Sequence, residues 1–162
     1  MPVDIDKLST EEIIQLYPKI LKKLKKRGVL RTKNFVGEIG EYLAIIGYNK
    51  NPNVPNLKRA DVGTVGYDAI SLDGKRYQIK SASGGTTGVF HGVDESAEEG
   101  EQIFEYAVVV RFDDDYASAS ILEINWNQFM GIKKWHKTMS AWNVPVNNKL
   151  IQMAKEISVF KF

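Results

Sequence analysis

The chain has 162 residues, of which 43% are hydrophobic and 26% are charged, and its formal net charge is +2. This length predicts a single domain that buries a core without covalent staples, and the composition is that of a soluble globular protein. Disulfides and thiolate metal sites are excluded because the chain has no cysteine, which fits an intracellular, cytoplasmic protein.

Membrane insertion and histidine-rich metal sites are also disfavoured. No apolar run is long enough to span a bilayer, so no membrane partner is expected, and the polar, acidic first residues do not resemble a signal peptide. The chain has only 2 histidines, His91 and His136, so a bound metal would have to be held by carboxylates. Carboxylate ligands favour hard cations such as Mg²⁺ or Mn²⁺.

The first predicted element is a basic, amphipathic helix at residues 10–28. Apolar residues recur there at helical spacing, acids lie in the first turn and lysines in the last, and Gly28 is suited to end the helix. Pro18 should kink or divide it. The segment from Lys19 to Lys33 holds eight Lys or Arg and no acid. It could meet phosphates, although a solvated helix face is the simpler interpretation.

A second helix is predicted from about Asn34 to Gly47. It has one face of large apolar residues and a second stripe of small residues, which should also pack because small residues permit close backbone approach. Glu38 and Glu41 lie between the two stripes, one turn apart, and can therefore point at the same place. The large residues are Phe35, Ile39, Tyr42, Leu43 and Ile46, and the small ones are Gly37, Gly40, Ala44 and Gly47.

The rest of the chain is predicted as a β-rich core followed by two helices. Residues 49–66 are rich in Asn, Pro and Gly and predict a long loop, and a flexible loop is predicted at 83–92. The order α-α-β-β-β-β-α-α predicts an α/β or α+β fold with a four-stranded mixed sheet flanked by helices. The single domain would then comprise the basic helix at 10–28, a core at about 33–124 and C-terminal helices within 125–160. Strands are predicted at about 67–71, 75–82, 103–112 and 117–124, and the last helices at about 125–137 and 146–158.

The segment YDAISLDGKRYQIKSAS, residues 67–83, predicts a β-hairpin that turns at Asp73-Gly74. With a two-residue loop, Asp68 would lie on one face of the sheet and Gln78 and Lys80 on the other. With a three-residue loop that ends in a left-handed glycine, Gln78 would be the cross-strand partner of Asp68, and Lys80 would lie on the same face as both. A shift of one residue in register thus decides whether these polar side chains meet.

This hairpin also carries a resemblance to a known superfamily. Asp68, followed ten residues later by the triplet QIK and preceded by a helix with the motif GEIGE, resembles the PD-(D/E)xK nucleases, which include restriction endonucleases. The QIK form is similar to the Mrr-type branch, in which glutamine stands where most members have an acid. The resemblance covers residues from about Gly37 to Ser83. It implies a restriction-endonuclease-like core that hydrolyses DNA, most often double-stranded, with Mg²⁺ or Mn²⁺, and a fold that often dimerises.

The resemblance further implies a role for each residue of the motif. Asp68 would be the principal ligand of the cation, followed by acids of the second helix. Gln78 would border the metal, while Lys80 would hold the attacking water or stabilise the charge that develops on the phosphorane. The implied catalytic residues are Glu38, Asp68, Gln78 and Lys80, and the implied metal ligands are Asp68, Glu38, Glu41 and the carbonyl of Ile79.

Phosphate contacts are predicted in the loop after the motif and among basic residues near it, because hydroxyl, amide and guanidinium groups donate to phosphate oxygens. Gln78 removes one negative charge from the predicted metal site. A catalytically inactive module on the same fold, which binds nucleic acid or another protein, is therefore the alternative. The predicted nucleic-acid contacts are Ser81, Ser83, Thr86, Lys58, Arg59 and Arg76.

Overall fold

The computed structural model describes residues 2–96 and 101–162, and it divides the chain into two compact units between Ile39 and Gly40, inside the second helix. Within the described residues no helix is long and apolar enough to cross a membrane. The α-helices are α1 (Thr10–Lys26), α2 (Phe35–Lys50), α3 (Trp126–Ile132) and α4 (Asn148–Met153). The strands are β1 (Leu57–Arg59), β2 (Ala69–Ser71), β3 (Arg76–Ala82), β4 (Tyr106–Phe112), β5 (Ser118–Asn125), β6 (Lys134–His136), β7 (Ala141–Asn143) and β8 (Lys155–Lys161).

The first unit contains a short 3-10 helix at Ile5–Lys7, helix α1 and the beginning of α2. Helix α1 starts after Ser9, whose hydroxyl accepts from the Glu12 amide while the Glu12 carboxylate accepts from the Ser9 amide. This reciprocal pair is a capping box. The predicted helix is confirmed, and Pro18 lies inside it without dividing it. No residue of α1 is buried, so its amphipathic pattern belongs to an exposed helix.

The second unit is built on a six-stranded mixed sheet with the strand order β1-β2-β3-β4-β5-β8. Strands β3 and β4 are parallel, with Lys80 beside Val109 and Ala82 beside Arg111, whereas the other neighbours are antiparallel. A mixed α+β fold is therefore confirmed. The predicted four-stranded sheet is wrong, because the sequence pattern does not reveal the two edge strands.

Both edge strands lie in segments whose composition conceals them. β1 lies in the predicted long loop, where the side chain of Asn49, at the end of α2, accepts from the Leu57 N–H (2.8 Å) and donates to the Leu57 carbonyl (3.3 Å). β8 lies largely in the segment predicted as a helix at 146–158. Its β-branched residues Ile157 and Val159 alternate along a strand that pairs with β5. Short edge strands show too little hydrophobic alternation to be predicted from sequence.

Both predicted C-terminal helices exist but are shorter than predicted. Helix α3 ends at Ile132 and Lys133 is extended, after which β6 and β7 form a two-stranded hairpin with Trp135 opposite Trp142. Their indole rings meet edge to face at 5.0 Å. Aromatic cross-strand pairs of this kind stabilise a hairpin. In the second predicted segment only the six residues of α4 are helical.

The loop after β3, predicted to be flexible, is held by the chain around β7. The Thr87 N–H donates to the Val144 carbonyl, and the Val144 N–H donates to the Thr87 hydroxyl, both at 3.0 Å. The Phe90 N–H donates to the Trp142 carbonyl at 2.6 Å. Thr87 and Phe90 are buried. This part of the loop therefore packs against the chain around β7.

Helix α2 packs on the sheet through its small residues rather than its large ones. Gly40, Ala44 and Gly47 are buried, whereas Tyr42 is 40% exposed and the other large residues of the predicted apolar face are half-buried. A Cβ at Gly40 would overlap the Ser81 hydroxyl of β3, and a Cβ at Gly47 would press on β5 and β8. The prediction that the small stripe packs is thus confirmed within the second unit.

The opposite face of the sheet carries a buried hydrophobic cluster of the second unit. Ser81 faces α2, so side-chain alternation along β3 places Lys80 and Ala82 on the other face. Ala82 belongs there to a buried cluster that also takes residues from α3, β4, β5 and α4. At its centre, aromatic rings pack with centroid distances of 4.9–6.0 Å. These rings belong to Phe90, Phe104, Trp126 and Phe129.

Replacing Gly40 by alanine should destabilise the protein, because the new methyl group overlaps the Ser81 hydroxyl. We expect the free energy of unfolding, measured by urea denaturation, to fall by about 1–3 kcal/mol, the usual cost of overpacking. In a Ser81→Ala background the methyl group meets the residue-81 Cβ at 3.3 Å and no hydroxyl. The loss should therefore shrink, and the double-mutant cycle should give a coupling energy of roughly 1 kcal/mol.

The matched control is Gly131→Ala, because Gly131 also lies in a helix and a Cβ there would meet nothing within 4 Å. This variant should be as stable as the wild type, or up to about 1 kcal/mol more stable, since alanine has the higher helix propensity. If Gly40→Ala were equally well tolerated, α2 would not approach β3 as closely as described.

Candidate active site

The hairpin of β2 and β3 has the three-residue loop, which decides between the two registers that the sequence leaves open. Gly74 has a φ of +84°, a conformation that glycine adopts without strain. The Ser71 N–H donates to the Lys75 carbonyl and the Gly74 N–H donates to the Ser71 carbonyl, both at 3.0 Å. The strands keep this register where Ile70 pairs with Arg76 and Ala69 with Tyr77, the second of which is the pair that precedes Asp68 and Gln78.

The carboxylate of Asp68 is hydrogen-bonded to β3. Its Oδ2 accepts from Gln78 Nε2 at 3.0 Å and from the Ile79 N–H at 2.8 Å. The Asp68 N–H donates to the carbonyl of Tyr77, which is the partner of Ala69. Two residues of the first strand therefore oppose one residue of the second, as in a β-bulge, a device that redirects a side chain. Here it turns the Asp68 carboxylate onto β3.

Gln78 is only 7% exposed, and its side chain acts on Asp68. The amide group donates a hydrogen bond to the carboxylate, which offsets part of the cost of burying an acid. A glutamate at this position would have no such N–H to donate and would repel Asp68 when both were ionised. The glutamine therefore helps to hold the Asp68 carboxylate in place without requiring a cation.

Lys80 lies two residues after Gln78 on the same face of β3. It is half-buried, and its Nζ lies 5.9 Å from the centroid of the Phe90 ring, within the range of a cation–π contact. Within the described residues Lys80 forms no ion pair. Its ammonium group is thus held near the Asp68 hairpin by an aromatic ring and not by a carboxylate.

The two acids of helix α2 are held by identifiable partners. In the first unit, Glu38 is 4% exposed, and its Oε2 accepts from the N–H groups of Arg31 (2.8 Å) and Thr32 (2.7 Å). In the second unit, Glu41 Oε2 accepts from Nε and Nη2 of Arg59, both at 3.2 Å. Glu38 therefore anchors the segment that precedes α2, and Glu41 ties α2 to β1.

The predicted nucleic-acid contacts separate into engaged and exposed side chains. Arg76 binds Glu105 through Nε (3.1 Å) and Nη2 (3.0 Å), while Arg59 pairs with Glu41. Ser81 is half-buried beneath α2, where it meets the position of the missing Gly40 side chain. The predicted contacts that lie exposed are Lys58, Ser83 and Thr86.

The pKa of Glu105 indicates that its pair with Arg76 is a structural contact. Burial alone would raise the pKa of the Glu105 carboxyl, but hydrogen bonds and charge from Arg76 outweigh burial and hold that pKa below its usual range. The stabilisation is therefore complete above the ordinary carboxyl pKa and is lost as the pH falls through the lowered value. A partly exposed pair of this kind contributes modestly to stability.

The sequence did not point to a cleft that opens where the parallel strands β3 and β4 end. It has a volume of about 400 Å³ and is lined by Ser83, Gly84, Gly85, Arg111 and Asp113, among others. The carboxyl ends of parallel strands are common positions for ligand sites. Arg111 enters this cleft because β3 and β4 are parallel, which no local sequence signal reveals.

At the hairpin, the Asp68 carboxylate is the acidic group that lies beside Gln78 and Ile79. Over residues 2–96 and 101–162, no three Asp, Glu or His side chains gather into a metal-binding group. Mg²⁺ commonly uses only one or two carboxylates and completes its shell with water and substrate phosphates. Asp68 supplies one carboxylate, and the carbonyl of Ile79 is the predicted second oxygen.

The chain matches no protein-family model and no curated protein sequence. The resemblance to the PD-(D/E)xK superfamily therefore depends on the residues of the motif alone.

Replacing Asp68 by alanine should destabilise the protein even in metal-free buffer, because the Gln78 amide and the Ile79 N–H lose their acceptor. We expect the free energy of unfolding to fall by about 1–3 kcal/mol. Asp68→Asn keeps an acceptor oxygen and should lose less. Asp114→Ala, which removes an exposed acid, is the control and should be neutral. If Asp68→Ala were as stable as the wild type, the Asp68 carboxylate would not hold the hairpin.

Proposed function

We propose that the protein is a metal-dependent endonuclease that hydrolyses phosphodiester bonds in DNA and has a restriction-endonuclease-like core. The observation that carries the proposal is the three-residue hairpin loop, which brings Asp68 against Gln78 and Ile79 with Lys80 two residues further on the same face. The other register would separate the acid from the lysine. The proposed site consists of residues of the second unit alone.

Asp68 would act by presenting a carboxylate in a fixed orientation. Two hydrogen bonds from β3 already position its Oδ2, and pre-positioned ligands bind and react with less loss of entropy. A bound Mg²⁺ or Mn²⁺ would supply the Lewis-acid chemistry that activates water and neutralises phosphate charge.

Lys80 would stabilise the negative charge that develops on the phosphorane. Lys80 has no carboxylate partner among the described residues, so no internal ion pair competes with an incoming phosphate for its ammonium group. Fixed positive groups aimed at developing charge contribute strongly to catalysis in a partly dehydrated site. The Phe90 ring restricts the lysine stem without competing for a phosphate.

A catalytically inactive nucleic-acid-binding module is the second candidate, and one contact favours it. Gln78 Nε2 donates a hydrogen bond to the Asp68 carboxylate. A carboxylate with a purely structural role would be stabilised in the same way, by a hydrogen-bond donor and without a cation. The two candidates share the substrate class and differ in whether Asp68 takes up a metal.

The proposal predicts that the purified protein nicks or cleaves plasmid DNA in the presence of Mg²⁺ or Mn²⁺ and not in EDTA. Asp68→Asn and Lys80→Ala should each lower the cleavage rate by roughly 100-fold or more, the size of effect that removal of a charge-stabilising group produces. Lys75→Ala, which removes an exposed lysine from the same hairpin, is the matched control and should cleave normally.

Two other outcomes would redirect the interpretation. If the wild type binds DNA but does not cleave it with any divalent metal, the inactive module is the better description. If the wild type binds neither DNA nor a metal, both nucleic-acid functions are wrong.

A glutamate in place of Gln78 provides a test that does not require activity. Gln78→Glu removes the donor to Asp68 and adds a like charge, so in EDTA its free energy of unfolding should fall by about 1–3 kcal/mol. Excess Mg²⁺ should recover part of this loss, since a ligand that binds only the folded state stabilises it by about 2.7 kcal/mol at 100 times its Kd. The wild type should respond less. If Mg²⁺ stabilises neither protein in thermal or urea denaturation, the proposed cation site is wrong.

A further inference from the structure

The β6–β7 hairpin lies in a segment of unusual charge. Residues 125–154 contain no Asp or Glu but four lysines, Lys133, Lys134, Lys137 and Lys149, together with His136. The whole chain has 20 acidic residues, so an acid-free stretch of this length concentrates positive charge in a protein that is nearly neutral overall. Such a basic segment is an electrostatic footprint that suits a polyanion.

One face of the hairpin is used for packing within the protein. Trp135 and Trp142 lie opposite one another on this face, and the Trp142 indole N–H donates to the carbonyl of Asp94 at 2.9 Å. Lys133 Nζ lies 3.6 Å from the centroid of the Trp142 ring, and burial lowers its pKa. The tryptophans and Lys133 are therefore engaged internally and are not the groups that would meet a partner.

On the other face of the hairpin only the β6 half is exposed. Lys134 and His136 are exposed there, whereas their cross-strand partners Asn143 and Ala141 are buried, and Lys137 is exposed in the turn that follows. His136 Nδ1 accepts from the Met139 N–H at 3.1 Å. When neutral, this imidazole therefore carries its proton on Nε2, the nitrogen that remains to donate to an external acceptor.

The hairpin is attached to the strand that carries Lys80. The Phe90 N–H donates to the Trp142 carbonyl at 2.6 Å, and the Phe90 ring contacts the Lys80 ammonium. The same loop is fixed again where Thr87 and Val144 exchange hydrogen bonds. The β6–β7 hairpin is thus held by hydrogen bonds to the second unit, on the side of the sheet where Lys80 lies.

We propose that the β6–β7 hairpin is a contact surface for duplex DNA, with Lys134 and Lys137 on phosphates and His136 as a further donor. This inference depends on the proposed function for its substrate class. Exposed lysines can contact the phosphates of a duplex without entering a groove. Three residues of strand span roughly 10 Å, so Lys134 and Lys137 can contact different phosphates of one duplex.

The test measures DNA binding by full-length protein that carries Asp68→Asn, so that cleavage does not interfere. Adding Lys134→Ala and Lys137→Ala should weaken binding to a duplex by at least about tenfold near physiological salt. The slope of log K against log salt concentration should become less steep by about 2, because each lost phosphate contact removes close to one unit. His136→Ala should weaken binding less and leave the slope nearly unchanged.

The matched control is Lys155→Ala with Lys161→Ala, two exposed lysines on edge strand β8. It should retain wild-type affinity and salt slope. A single strand of the same sequence should be less sensitive to the hairpin variant than the duplex is.

The failures of this inference and of the proposed function are distinguishable. If the hairpin variant stays folded and binds DNA like the parent, the hairpin is not a DNA contact, whether or not the wild type cleaves. If the wild type never cleaves but its binding depends on Lys134 and Lys137, the hairpin inference holds and the catalytic proposal fails. A wild type that captures no DNA at all overturns both.

Discussion

The left-handed conformation of Gly74 is the constraint on which the candidate site depends. A residue with positive φ at this point lengthens the turn to three residues, and every side chain of β2 then takes its place against β3. With the tighter turn, Asp68 would face the side of Ile79 and be separated from Gln78 by the sheet. The bulge at Asp68 completes the effect, because it turns the carboxylate onto the Ile79 N–H.

Close packing of α2 fixes the other side of the same strand. Gly40 and Ser81 leave no room for an additional atom between helix and strand, while Phe90 and its aromatic neighbours fill the opposite face. β3 is therefore held on both sides, and Gln78, Ile79 and Lys80 project from a rigid support. Groups mounted on a rigid strand keep their geometry better than groups on a loop, which is what either catalysis or specific binding at this hairpin would require.

The parts of the structure that could be predicted from sequence are those with strong local signals. Helix α1 has a capping box, β4 has a buried apolar run, and the Asp73-Gly74 turn separates two strands. The edge strand β8 could not be predicted, because it is formed by pairing with β5, which is distant in sequence. The β6–β7 hairpin depends on the Trp135–Trp142 pair and on Phe90, more than forty residues earlier in sequence. At the site, Asp68 and Lys80 could be named from their spacing, but the register that unites them depends on the backbone of one glycine.

Gln78 determines what chemistry the hairpin can perform. A second acid would make the site strongly dependent on a cation, since two neighbouring carboxylates repel one another until a metal binds. The glutamine removes that dependence, because the Asp68 carboxylate already accepts hydrogen bonds from the Gln78 amide and the Ile79 N–H. The binding of a cation there therefore releases less free energy. If the proposed nuclease function is right, the missing negative charge has to come from the substrate, whose phosphate oxygens can complete the shell of Mg²⁺. Metal and DNA would then bind cooperatively. A basic surface that holds DNA near Lys80, such as the β6–β7 hairpin, would thereby also favour binding of the metal.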